Sequence, residues 1–129
     1  MRAPTSILPL RLEEVSFVAG GRPIVDRVSL ALEAGPRTVI LGPNGAGKSV
    51  LMRLCHGLLA PTSGRVEWAS PERPGERRRQ AMVFQRPVML RRSALANVGY
   101  ALKLAGVPHG ERELQARAAL EGVGLADLA

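Results

Sequence analysis

The chain has 129 residues, about the size of one domain, and 46% of them are apolar, which is an ordinary share for a globular core. Its formal net charge is +7, carried mostly by scattered arginines, so we expect a solvated basic surface and no nucleic-acid partner. One cysteine, Cys55, excludes an internal disulfide and a cysteine-based metal site. No apolar run approaches the roughly 20 residues of a membrane span, and we expect no signal peptide and a cytosolic location.

Apolar periodicity predicts strands that alternate with helices along the chain. The predicted strands are residues 10–17, 24–33, 37–41, 65–68 and 81–84. The predicted helices run from Gly47 to about Leu59, from a cap at Ser93 to about Ala105, and over residues 110–121. A polar stretch with two prolines and a glycine predicts a loop at residues 70–78. This order of elements predicts an α/β fold.

A glycine-rich motif, G-x-x-x-x-G-K-S, lies between a predicted strand and a predicted helix. Its eight residues are Gly42, Pro43, Asn44, Gly45, Ala46, Gly47, Lys48 and Ser49. In this context the pattern indicates a phosphate-binding P-loop. The alternative is a glycine-rich turn that holds no ligand.

Each position of the motif has a chemical reason. The glycines allow a tight turn whose backbone N–H groups point at phosphate oxygens, and the helix adds the positive end of its dipole. Lys48 is predicted to reach the β- and γ-phosphates, and the hydroxyl of Ser49 to bind Mg²⁺. We therefore expect residues 42–50, which end at Val50 in the first helical turn, to bind the nucleotide.

Four segments, in order, resemble the ATP-binding subunits of ATP-binding cassette (ABC) transporters. The P-loop is preceded by Val28-Ser29-Leu30 and Gly35. Residues 57–66, GLLAPTSGRV, are similar to a family segment that follows the P-loop helix. Residues 82–85, MVFQ, resemble the family's Q-loop, and residues 96–98, ANV, resemble the E-N-V that opens its helical subdomain.

The resemblance covers residues 10–129 and implies the N-terminal part of an ABC ATPase domain, with a P-loop NTPase fold. We expect a flexible N-terminus at residues 1–9, an antiparallel β edge and P-loop core sheet to about residue 85, and the start of the helical subdomain at 86–129. The resemblance also implies that Gln85 approaches Mg²⁺ and the attacking water, so that Lys48 and Gln85 are the catalytic residues and Ser49 and Gln85 the metal ligands.

The resemblance implies ATP and Mg²⁺ as ligands, a membrane-spanning permease and a second ATP-binding subunit as partners, and a peripheral position on the cytoplasmic face of the membrane. The whole protein would couple ATP hydrolysis to solute transport. The stretch after Gln85 is similar to that of importers for oxyanions such as tungstate, molybdate or phosphate. Import is therefore the expected direction.

The sequence departs from the family pattern in two places. Ala19 stands where an aromatic residue often stacks on adenine, and Phe17 is predicted to lie in the core instead. The signature L-S-G-G-Q, the Walker B strand with its Asp-Glu pair and the switch histidine are missing from the 129 residues, and neither His56 nor His109 takes the switch position. We therefore expect these residues alone not to hydrolyse ATP.

Two other functions stay open at this point. One is a soluble ABC ATPase without a transport role, although the long insertions or paired cassettes usual there are missing. The other is a truncated fragment that binds nucleotide weakly or not at all and performs no chemistry.

Overall fold

Among the residues that the structure describes, three antiparallel strands and one helix belong to the first of two units into which the chain divides, Met1–Met82 and Val83–Ala129. The computed structural model describes residues 6–69 and 80–128. The elements of the first unit are β1, Leu10–Ala19; β2, Arg22–Leu32; α1, Lys48–His56; and β3, Ser63–Trp68. β1 lies at the centre of the sheet, whose order is β2-β1-β3.

The core of this unit lies on one face of the sheet, beneath α1. It consists of the buried side chains of Leu10, Leu12, Val15, Val25 and Leu54. Leu54 is the one fully buried residue that α1 contributes, at 1% exposed, and Val50, Leu51 and Cys55 of the same helix pack around the cluster. The predicted core position of Phe17 is confirmed, because its side chain packs against the same cluster.

A β-bulge in β1 explains why its inward-facing residues do not alternate strictly. The register between β1 and β2 shifts between Leu12 and Val15, where Glu14 has a φ of 47°. An extra residue in a bulge rephases the strand, so Val15 rather than Glu14 faces the core. The Ser29 hydroxyl holds the bulge: it accepts from the Glu14 amide and donates to the Glu14 carboxylate, both at 2.9 Å.

Helix α1 ends at His56, three residues before the predicted end. Gly57 adopts a left-handed conformation with a φ of 82°, and its N–H donates to the carbonyl of Leu54. The amide of Leu58 donates to the carbonyl of Arg53 at 2.9 Å. This arrangement closes the last turn in the way that glycine commonly permits just after a helix.

The strands predicted at residues 37–41 and 81–84 are not formed, and apolar side chains in both segments are exposed. Val39 is 75% exposed, Leu41 87% and Val83 90%. A strand needs a neighbour for its backbone hydrogen bonds, and β1, β2 and β3 pair only with one another. Within residues 6–69 and 80–128 no strand pairs with either segment.

The second unit is a pair of helices, α2 (Ala94–Leu104) and α3 (His109–Gly122), followed by a 3₁₀ turn at Ala126–Leu128. The predicted cap of α2 is confirmed, because the Ser93 hydroxyl accepts from the amide of Ala96 at 3.1 Å. Ala116 and Leu120 of α3 are buried in this unit.

Part of the predicted flexible N-terminus is ordered against the core. Leu8 packs on the cluster, and the carbonyl of Pro9 accepts from the amide of Ala69 at 2.9 Å. Residues 1–5, and the predicted loop at 70–78, lie outside the described residues.

Candidate functional site

The P-loop motif forms a turn that ends in the first turn of α1. Gly45 and Gly47 have φ values of 83° and 79°, in the left-handed region that favours glycine. The amide of Ala46 donates to the carbonyl of Pro43 at 3.3 Å, which closes the turn. The predicted glycine-rich turn into a helix is therefore present.

Gly47 is required for a second reason, which is its contact with β2. A Cβ atom built at Gly47 would lie 2.5 Å from the carbonyl oxygen of Ile24, nearer than real Cβ atoms approach. The same construction at Gly45 meets nothing within 4 Å. The close contact at Gly47 fixes the beginning of α1 against the edge of the sheet, and thus positions the loop.

The side chain of Lys48 turns back over the loop. Its Nζ donates to the carbonyl of Gly42 at 2.7 Å and to the carbonyl of Pro43 at 2.6 Å. An ammonium group has three N–H donors, so one remains for another acceptor. The charge of Lys48 is thereby held beside the backbone of its own P-loop.

The N-terminus of α1 favours an anion. Its cap, Gly47, has no side chain to accept from the first-turn amides, and no acidic residue lies in the first turn. The first amides of a helix have no partner within the helix, and they coincide with the positive end of the dipole. The N–H groups of Lys48, Ser49 and Val50 occupy those positions.

The chemistry of Ser49 fits one ligand of a Mg²⁺ ion. The residue is exposed in the first turn of α1, and its hydroxyl is the kind of oxygen donor that Mg²⁺ accepts. In residues 6–69 and 80–128 there is no group of three His, Cys, Asp or Glu residues that could hold a metal by itself. Mg²⁺ usually keeps water and substrate phosphate oxygens as its other ligands, so one protein hydroxyl is compatible with it.

Gln85 belongs to the second unit, whereas the P-loop belongs to the first. It is exposed at a bend between the segment 81–84 and the stretch that leads to α2. The residues brought together by the structure are thus those of the P-loop, while the metal-binding role of Gln85 remains a prediction.

Asn97 of α2 is a polar residue whose role the sequence did not reveal. Its Oδ1 accepts from the amide of Leu90 at 2.9 Å. Its Nδ2 donates to the carbonyls of Leu90, Arg92 and Ser93 at 3.1, 3.2 and 3.0 Å. The only sequence signal was its place in the ANV segment, which carries no information about the path of the preceding loop.

Cys55 lies on α1, behind the P-loop. The thiol is partly buried, and this burial raises its pKa, an effect only partly offset by a backbone hydrogen bond. A raised pKa keeps the thiol protonated at neutral pH and therefore a poor nucleophile.

Comparison with known proteins places this arrangement in a family. The model of the family described as "ABC transporter" matches residues 25–129, which include the whole P-loop. The chain belongs to the ABC transporter family.

Several ATP-binding subunits of ABC transporters are similar to the chain. It is 39% identical over 127 residues to the taurine import ATP-binding protein TauB of Pseudomonas entomophila, covering 93% of the chain and 48% of that protein. It is 42% identical over 121 residues to the sn-glycerol-3-phosphate import ATP-binding protein UgpC 2 of Agrobacterium fabrum, covering 90% and 32%. It is 39% identical over 92 residues to the tungstate uptake system ATP-binding protein TupC of Peptoclostridium acidaminophilum, covering 71% and 43%.

A solved structure agrees with the ABC fold. CbiO1 of Clostridium perfringens, part of the ABC transporter complex cbiONQ, superposes with a TM-score of 0.73 at 26% identity, covering 95% of the chain and 53% of that protein. The chain spans about half the length, or less, of these relatives and corresponds to their N-terminal portion. No helix in the part of the chain that the structure describes is long and apolar enough to cross a membrane.

Proposed function

We propose that residues 42–50 bind the phosphates of ATP. The observation that carries this proposal is the position of Lys48, whose ammonium lies beside the loop carbonyls with one donor left over, next to the uncapped start of α1. The backbone amides and the ammonium together offer donors and positive charge to the same anion. The glycines at 45 and 47 permit the left-handed backbone conformation that the loop adopts there.

We also propose a place for Mg²⁺ in this site. The hydroxyl of Ser49 would hold it together with phosphate oxygens, and Gln85 is the second predicted ligand on the strength of the family resemblance. When bound, the ion offsets the negative charge that develops on the transferred phosphoryl group. The contribution of the chain itself is to bind and orient the phosphates through the P-loop amides and Lys48.

For the whole protein we propose an ATP-binding subunit that works on the cytoplasmic face of a membrane. ATP binding and hydrolysis would drive solute import through a permease, with a second ATP-binding subunit as partner. The support is the family match and the relatives, whose names describe import or uptake. Those names cover taurine, glycerol-3-phosphate and tungstate, so the oxyanion solute remains a prediction.

We also propose that an exposed loop of the second unit binds the permease. The docking loop, residues 86–93, exposes Val88 at 91%, Met89 at 63% and Leu90 at 39%, between Arg86 and the pair at 91 and 92. An apolar patch bordered by arginines is complementary to a cytoplasmic segment with apolar residues at its centre and acidic residues at its edges. We propose that this complementary cytoplasmic segment belongs to the membrane subunit.

A cysteine substituted for Met89 tests this docking. In the assembled transporter, Met89→Cys should form a crosslink to the membrane subunit, whereas a cysteine at Leu114, exposed on α3 at 75%, serves as the control. Labelling of Met89→Cys by a water-soluble reagent at the rate found for the control, without a crosslink, would contradict the docking.

Phosphate release tests the catalytic part of the proposal. With Mg²⁺ and ATP, the complete transporter should hydrolyse ATP, and Lys48→Ala should abolish most of that activity. The 129 residues alone should release phosphate no faster than their own Lys48→Ala variant, because the acid that polarises the attacking water is not found among them. Turnover well above that variant would show that the catalytic acid is a residue we have treated as structural.

A further inference from the structure

The docking loop has little secondary structure of its own to hold it in place. The backbone bends near both ends of the loop, at 85–86 and 91–92, and α2 begins only at Ala94. The recorded backbone bond within it joins the amide of Arg92 to the carbonyl of Leu90 at 2.7 Å. Hydrogen bonds from side chains to the backbone can hold a loop of this kind in one conformation.

Asn97 supplies that binding through a single amide group. Oδ1 and Nδ2 pair with the N–H and the carbonyl of Leu90 at 2.9 and 3.1 Å, a two-bond pairing like that between facing residues of antiparallel strands. Nδ2 also contacts the carbonyls of Arg92 and Ser93, so its two hydrogens are shared among three acceptors. One side chain therefore binds the backbone of three residues within the four-residue stretch 90–93, at the end of the docking loop.

A second contact attaches the loop to the same helix. The guanidinium of Arg92 lies over the ring of Tyr100, with its carbon 5.5 Å from the ring centre, which is within the range of a cation–π contact. Asn97 and Tyr100 are three residues apart and so lie on neighbouring positions of the α2 surface. The two contacts fasten the end of the loop along one helix.

We propose that Asn97 is the positioning residue of the docking loop and sets the affinity of the subunit for its membrane partner; this rests on the docking proposed above. A loop that is already ordered loses less conformational entropy when the partner binds. The amide is suited to this because it both donates and accepts. An ionised aspartate has the same size but accepts only, so it would lose the bonds to three carbonyls and repel them.

The test compares Asn97→Asp with Gln115→Glu in the complete ATP-binding subunit. Both variants replace an amide by an acid of the same shape, but Gln115 lies on α3 and its recorded partner is Glu111. Three quantities are measured: hydrogen exchange at the Arg92 amide, which donates to the Leu90 carbonyl within the loop, affinity for ATP, and affinity for the membrane subunit in lipid nanodiscs. Tyr100→Leu provides a variant that removes the second contact and leaves Asn97 intact.

We expect Asn97→Asp to loosen the loop, so that exchange at the Arg92 amide is faster, and to weaken binding to the membrane subunit by about tenfold, the effect of losing one to two net hydrogen bonds. Affinity for ATP should be unchanged. Tyr100→Leu should weaken the same binding by a smaller factor, and Gln115→Glu should change none of the three quantities. Faster exchange with unchanged membrane-subunit affinity would overturn the proposal but leave the docking intact. If the parent protein does not bind the membrane subunit at all, the docking itself is wrong, and the positioning role fails with it.

Discussion

Replacing Lys48 by alanine removes the charged donor from the P-loop and should weaken ATP binding by about 10- to 150-fold. Its Nζ donates to two loop carbonyls, at 2.7 and 2.6 Å, and the remaining donor is available to a phosphate oxygen. A hydrogen bond to a charged group contributes roughly 1.5–3 kcal/mol, and each 1.4 kcal/mol corresponds to about a tenfold change in affinity.

The same substitution should leave folding nearly unchanged. Gly42 and Pro43 are exposed, so water can replace the ammonium at both carbonyls. Lys48 itself is only partly buried, and substitutions outside the packed core usually change the free energy of unfolding by within about 0.5 kcal/mol. Loss of ATP affinity can therefore be separated from loss of structure by urea unfolding of the same samples.

Lys103→Ala is the matched control, because the chain has only these two lysines and both variants lower the net charge by one. Lys103 is exposed on α2, in the other unit. Affinity is measured by titration calorimetry at one salt concentration, in the full-length domain, since screening alters charge effects. If Lys48→Ala binds ATP within about twofold of Lys103→Ala, the phosphate-binding role of Lys48 is refuted.

Three further predictions concern the scaffold behind the P-loop. In urea unfolding, Gly47→Ala should destabilise the fold by more than Gly45→Ala. Both variants incur the roughly 1–2 kcal/mol cost of a left-handed residue, but only the alanine at 47 meets a backbone atom, at 2.5 Å. Equal losses in the free energy of unfolding would contradict this. Leu54→Ala should lower the free energy of unfolding by about 2–5 kcal/mol. Leu58→Ala is the control and should lower it by much less, because that side chain is 51% exposed. Similar losses would place Leu54 outside the core. Cys55 should react with iodoacetamide more slowly at pH 8 than free cysteine, because burial raises its pKa and reduces the thiolate fraction. The reaction rate should recover in urea. The same rate with and without urea would show an accessible thiol.

The sequence predicted best those features that depend on a few neighbouring residues. The turn of the P-loop follows from its glycines, and the start of α2 follows from the hydroxyl of Ser93, which accepts from an amide three residues ahead. The end of α1 at His56 was also local, since Gly57 is a common stop signal, but the predicted helix continued past that glycine to about Leu59.

Features that depend on distant partners were not predictable in the same way. The apolar runs at 37–41 and 81–84 are typical of buried strands, yet a strand forms only where another strand supplies its hydrogen bonds. The bulge at Glu14 depends on Ser29 across the sheet, and the role of Asn97 depends on the path of the preceding loop. Their residue types are informative only once the chain path is known.

Amide chemical shifts on titration with Mg²⁺ and ATP test the central claim most directly, because they report binding residue by residue in ¹⁵N-labelled full-length protein. The account predicts the largest changes at the amides of residues 44–50, around Lys48 and Ser49, and small changes in the docking loop despite its arginines. Lys48→Ala should reduce those changes at equal ligand concentration. Shifts that spread over the arginines and leave residues 44–50 unchanged would contradict a phosphate-binding P-loop.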